Sequence, residues 1–170
     1  MKLFMDVHFE GDTARVSAVA FEEWAAAEGT RHHALAIAHV EKPAKGEVDL
    51  RALPWLIQLL EANRLQPEVI LIDGFVHLDA QDTPGLGRRL HDALAGRSAV
   101  IGVSKSVFKG SDTPDQFCVF REDETPPLVV TCAGIDLGAA KARIRMMHGR
   151  KRLPTLMKLA ARIAKGSVDA

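Results

Sequence analysis

Residues 2–9, KLFMDVHF, begin apolar and then alternate, which predicts a β-strand. Glu10, Gly11 and Asp12 are turn formers, and ARVSAVAF, residues 14–21, alternates again, so the first two strands form a hairpin. A third strand is expected over residues 32–40, HHALAIAHV, where Leu35, Ile37 and His39 alternate with small alanines. The period then changes. Leu50, Leu53, Ile57 and Leu60 follow helical spacing and predict a helix over 49–64 with Asp49 as its N-cap. Pro67 interrupts the chain before a short apolar strand, Val69 to Asp73. A helix over about 83–95 and a strand over 98–104, SAVIGVS, follow. That strand–helix–strand unit should be parallel and right-handed.

The Asp-, Pro- and Thr-rich stretch from Lys109 to Pro127 predicts a loop and a short hairpin, with QFCVFRE and LVVTC as its strands. Asp136 suits the N-cap of a helix running to about His148, and Pro154 opens a last helix that Gly166 ends. Three antiparallel strands followed by helix, strand, helix, strand is the order of a ribonuclease H-like fold. The expected class is α/β: one domain over residues 1–170, with a mixed sheet and helices on both faces.

In that order the first strand lies centrally, beside the strand that follows the first helix. Asp6 interrupts the former and Asp73 ends the latter. Either acid alone has an ordinary explanation, Asp73 as a turn former before Gly74 and Asp6 as an outward residue on a half-exposed strand. Together they form a carboxylate pair whose mutual repulsion a cation would relieve. Mg²⁺ takes one or two carboxylates, keeps several waters and bridges to phosphate oxygens, which is the chemistry of phosphodiester cleavage; Mn²⁺ would serve in its place.

Composition narrows the picture. Lys plus Arg and Asp plus Glu both number 22, but nine of the basic residues and no acid fall between Leu137 and Val168. A basic C-terminal end suits a polyanion, and it equally suits two amphipathic helices with solvated faces. Cys118 and Cys132 have no metal-ligand spacing and read as reduced thiols of a cytoplasmic protein. No apolar run is long enough for a membrane span, and MKLFMDVHF has no signal-peptide core. His32, His33, His39, His91 and His148 carry no motif and are expected to be structural or exposed.

Four segments resemble the endonuclease V family, nucleases that cut nucleic acid near deaminated purines, chiefly inosine, with Mg²⁺. "MDVHF" is similar to the family's first-strand motif, "QPEVILIDG" to its second acidic strand, and "VIGVSKSVFKG" to its lysine segment. The tail from "IDLGAAKARIRMM" through "RKRLPTLMKLAARIA" is similar in layout. By this resemblance Asp6 and Asp73 hold the metal, and Lys105 serves catalysis as a cation at the phosphate. Ser106, Arg150, Lys151 and Arg152 would assist in holding a DNA or RNA backbone. DNA repair is the setting it implies.

The chain also departs from the family. In "GEVDLRALP" Ala52 stands where the family has a catalytic Glu, and in "TCAGID" Ala133 stands at a family histidine. Lys42 and Pro43 occupy the place of the family's aromatic wedge, and His77 and Asp79 are loose substitutes after Asp73. Asp49, with Glu47, is the nearest acid to replace the missing Glu as a metal ligand, unless it only caps its helix. Two functions therefore stand side by side: a metal-dependent endonuclease, or a relative that binds nucleic acid or a partner without cutting. The sequence leaves oligomeric state open.

Overall fold

The alternating N-terminal run folds as two long strands, β1 (Lys2–Glu10) and β2 (Thr13–Phe21). They are joined at Gly11, whose φ of 60° suits a residue without Cβ. The two-residue turn fixes the register: Asp6 lies opposite Ser17 and His8 opposite Arg15. In this computed structural model, residues 1–41, 48–122 and 125–170 are described, with residues 48 and 49 by their backbone. β3 (Arg31–Ile37) pairs antiparallel with β2 and stops short of the expected residue 40. The chain leaves the sheet there because His39 adopts a left-handed φ of 57° and Val40 N–H turns back to the Asp12 carbonyl.

The helix expected over 49–64 is divided into α1 (Val48–Arg51) and α2 (Leu53–Ala62), with Ala52 at the junction. Pro54 in the first turn of α2 has no N–H to continue the helix from α1. Asp49 therefore lies inside α1 and does not occupy an N-cap, and Ala52 precedes α2 without any side-chain cap.

β4 (Val69–Asp73), α3 (Leu86–Ala93) and β5 (Ala99–Ser104) form the parallel unit. The QFCVFRE strand is shorter than expected. A 3₁₀ turn takes Asp115–Phe117, and only β6 (Cys118–Val119) pairs with β7 (Leu128–Ala133). α4 (Leu137–Met146) is capped by Asp136, whose Oδ2 accepts from Ala139 N–H at 3.0 Å, and α5 (Thr155–Ala164) follows Pro154. The sheet order is β3-β2-β1-β4-β5-β7-β6, with β1 parallel to β4 and central, as the sequence predicts.

Strand alternation sorts the core into two layers. Leu3, Met5, Val16, Ile70 and Ile72 pack against Leu56 and Leu59 of α2 and Leu90 of α3. Phe4, Val19, Leu71 and Val103 pack against Ile144 of α4 and Ile163 of α5. Each such side chain, fully buried, contributes roughly 1.5–3 kcal/mol, so both faces are firmly covered. Buried Ser17 pins α5 to the sheet by donating its hydroxyl to the Ala160 carbonyl at 2.7 Å. Period-two alternation carries Phe4 to Asp6, Leu71 to Asp73 and Val103 to Lys105, so these three polar residues fall on the α4–α5 side.

Candidate functional site

Met5 lies opposite Ile72 in the parallel β1–β4 register, which sets Asp6 and Asp73 on the next rung of neighbouring strands. Both are half-buried. Asp6 Oδ1 accepts a hydrogen bond from Val7 N–H at 2.8 Å, and Asp73 Oδ2 lies 3.2 Å from Lys105 Nζ. The Asp6 carboxyl is pushed up to about 7, first by burial and then by the negative charge of Asp73. The Val7 N–H, Lys105 and Lys165 oppose that shift without cancelling it. A small cavity of about 80 Å³ opens here, lined by Asp6, Asp73, Phe9, Ala52 and Leu56 among others. Ala52, 2 % exposed and part of the α2-side core layer, lines that same cavity.

The chain leaves Asp73 through Gly74, whose φ of 150° is left to glycine, and crosses directly over β5. Gly74 N–H donates to the Val103 carbonyl, and Val76 N–H donates to buried Thr131 Oγ1. Gly102 makes this crossing possible: a Cβ there would sit 2.6 Å from the Gly74 carbonyl oxygen and 2.8 Å from Val76 N.

Lys105 is held on a short hydrogen-bonded turn. Buried Ser104 accepts from Ser106 N–H at 3.0 Å and donates its hydroxyl to the Ser106 carbonyl at 2.9 Å. Phe108 packs between Phe75 and Phe117 beneath the same loop. Arg152, expected from the sequence to meet a nucleic-acid backbone, donates to the Lys105 carbonyl at 2.6 Å and to the carbonyls of Pro126 and Pro127. Arg121, 4 % exposed, donates to the carbonyls of Met147, Gly149, Lys151 and Arg152 and so fixes the α4–α5 connection against the β6–β7 connection. Arg150 and Lys151 are exposed on that connection.

Other candidates fall elsewhere. Ala133 ends β7 opposite Val100, two strands from Asp73. Asp79 accepts from Gln81 N–H and from both the N–H and hydroxyl of Thr83, which holds its carboxyl below the usual range. His77 lies between Asp82 and Arg88, so both substitutes are engaged within their own loop. His91 braces the sheet by contacting the Ser98 carbonyl at 2.9 Å. Lys42, Pro43 and Glu47 lie outside the described residues, as does the side chain of Asp49. Among the described residues no three His, Cys, Asp or Glu side chains gather to hold a metal ion.

Three basic side chains near the pair were not singled out from the sequence. Arg15 and His8 share the Asp6 face of the hairpin, and Lys165 follows α5, its charge felt at Asp6. The hairpin register could have revealed the first two, since a turn at 11–12 pairs residues 6 with 17 and 8 with 15.

The fold and the paired strand ends define a ribonuclease H-like α/β architecture. More particularly, its fold is similar to that of solved endonuclease V structures. Endonuclease V from Bacillus subtilis superposes with a TM-score of 0.76 over 98 % of this chain and 79 % of its own, at 19 % identity. Human endonuclease V gives 0.75, 98 %, 83 % and 19 % by the same measures. Ciona intestinalis endonuclease V, in complex with a 24mer DNA containing an inosine followed by a ribo-adenosine, gives 0.76, 98 %, 84 % and 17 %. No protein-family model matches the chain, nor does any curated protein sequence. Among the described residues, no helix is long and apolar enough to cross a membrane.

Proposed function

We propose that this protein is an endonuclease V-like phosphodiesterase acting on DNA or RNA, with Asp6, Asp73 and Lys105 at its centre. The observation that carries this is the juxtaposition of two half-buried carboxylates on adjacent strands, with an ammonium group 3.2 Å from one of them. Ionising such a pair is costly: burial first, and then the Asp73 charge, raises the Asp6 carboxyl. A divalent cation would remove that cost. Asp6 and Asp73 fit Mg²⁺ or Mn²⁺ as a two-carboxylate site in which water completes the shell. When bound, such a cation supplies an activated water and stabilises the leaving oxygen. Lys105 offers a positive charge to the phosphate from its hydrogen-bonded turn, and the Arg152 bond to its carbonyl fixes where that turn sits. The inosine-containing DNA bound by the Ciona intestinalis neighbours, with the family resemblance of the sequence, suggests inosine-containing substrates first. Free Cys118 and Cys132 suit a reducing, cytoplasmic setting.

One observation favours a second function. Ala52 lines the cavity beside the pair where the family resemblance places a catalytic Glu, and a third described acid does not join. A protein so built would hold nucleic acid without cutting it. Incubation with inosine-containing single-stranded DNA and RNA, in Mg²⁺ or Mn²⁺, separates the two. The nuclease predicts cleavage that Asp73→Asn lowers at least about 100-fold. Retained binding with no cleavage selects the second function, and neither binding nor cleavage defeats both.

A further inference from the structure

Beside the carboxylate pair, along the same face of the β1–β2 hairpin, lies a second and larger cleft of about 320 Å³. His8, Arg15, Thr13 and Lys165 line it, with Glu10 as its one acid on the wall. Two strands and a helix end present these groups together. Asp6 and His8 alternate onto one side of β1, with Ser17 and Arg15 opposite them on β2. The Ser17 bond to the Ala160 carbonyl draws the end of α5 onto that side, and Lys165 follows directly. Arg15 Nε lies 3.8 Å from where a Gly166 side chain would begin, so the two cations flank the helix terminus. Both Arg15 and Lys165 are exposed. Among the described residues neither has a side-chain hydrogen bond or an ion pair.

Several cations elsewhere on the molecule are committed. Lys2 pairs with Glu68, Arg88 with Asp92, and Arg121 and Arg152 with backbone carbonyls. Lys105 pairs with Asp73 on one side of the carboxylates; on the other, Arg15 and Lys165 have neither a hydrogen bond nor an ion pair among the described residues, though the Lys165 charge reaches Asp6. A strand of nucleic acid with its reacting phosphate at Lys105 would pass Asp6 and then enter this cleft. Its neighbouring phosphodiester would meet an arginine that can hold two oxygens and a lysine beside it.

Taking nucleic acid as the ligand, as proposed above, we infer that Arg15 and Lys165, with His8, form a second phosphate-binding site. It holds the backbone of a single strand next to the carboxylate pair and sets the strand's direction across it. The ligand class is a nucleic-acid phosphodiester, held by charge and without base readout.

The test is binding of a fluorescein-labelled single-stranded oligodeoxynucleotide to the full chain in Ca²⁺, followed by anisotropy over a salt series. Arg15→Gln with Lys165→Gln is expected to weaken binding about tenfold or more. It should also flatten the dependence of log K on log salt by about 1.4, since each single-strand phosphate contact contributes about 0.7. Lys165→Glu alone should weaken binding further than Lys165→Gln. Arg64→Gln with Arg97→Gln, on a groove near the N-terminal end of β4, should leave both quantities unchanged. Thermal unfolding of each variant should match the wild type, as the residues are exposed. If the wild type binds and Lys105→Gln weakens it while the Arg15/Lys165 variant keeps wild-type affinity and slope, the second site is wrong and the nucleic-acid function stands. A wild type that binds no oligonucleotide overturns both.

Discussion

β1 and β4 run side by side, and their two ends treat charge in opposite ways. At the start of the strands every charge has an answer. The N-terminal ammonium lies 3.3 Å from Glu22, Lys2 Nζ lies 3.1 Å from Glu68, and Lys2 also donates to the Glu22 carbonyl. At the finish, two carboxylates stand on one rung, and of the cations around them only Lys105 is paired. The first arrangement satisfies itself within the fold. The second is not fully compensated within the fold, as the metal-dependent site for a nucleic-acid phosphodiester proposed above would require. The same two strands thus separate charge compensated within the fold from the charge on which the proposed function rests.

The largest effect that would break this contrast lies at Asp6. Its carboxyl is raised to about 7 in the fold against 3.8 in the unfolded chain. The folded state therefore binds the proton more tightly, and the stability this gives is fully present below about pH 4. It is lost as pH rises through 7, where the buried acid must ionise beside Asp73. Asp6→Asn removes that loss. In chelator, the variant should match the wild type near pH 4 and exceed it by about 2–4 kcal/mol at pH 8. Urea unfolding at the two pH values measures this. Saturating Mg²⁺ should narrow the gap at pH 8 by stabilising the wild type alone. A gap of equal size at both pH values would mean that Asp6 is not strained by its neighbour.

How much of this was legible beforehand follows from what each feature depends on. The hairpin, the central place of β1 and the parallel β4–β5 unit follow from local period and chain order, so Asp6 and Asp73 could be set together from sequence. The break at Ala52 was also signalled, by Pro54, yet the helical period of the leucines masked it. The role of Arg152 was not legible. Its three carbonyl partners come from residues 105, 126 and 127, far away in the chain, and a run of basic residues reads the same whether it meets protein or phosphate. Lys165 was hidden for the same reason, because only the buried Ser17–Ala160 bond shows which strand the end of α5 reaches.

A smaller effect sharpens the contrast from the backbone side. Asp73 keeps its position because the chain after it lies flat on Gly102. Gly102→Ala would force a methyl group to within 2.6 Å of a carbonyl oxygen, so the 74–76 crossing must lift. The expected cost is about 1–3 kcal/mol, typical of overpacking, together with a displaced Asp73. The readouts are chemical unfolding and, for the site, a weaker affinity for Mn²⁺. Loss of stability with unchanged affinity would show that Asp73 is held by β4 alone.

The smallest effect belongs to the other end of the strands. Glu68 is held below its usual range by its bond to Lys2 and by the charges of Lys2 and the N-terminus, so its contribution is present above about pH 4.5 and fades as pH falls below it. The side chain is 61 % exposed, and water and salt screen most of that attraction. Glu68→Gln should therefore cost under about 1 kcal/mol at pH 7 and nothing at pH 3, with the difference shrinking in 1 M salt. It should leave oligonucleotide binding and any cleavage untouched. The two ends of β1 then respond in opposite directions at high pH: removing an acid at the start weakens the fold slightly, and removing one at the finish strengthens it. That opposition is the signature of charge placed for stability at one end and for a ligand at the other.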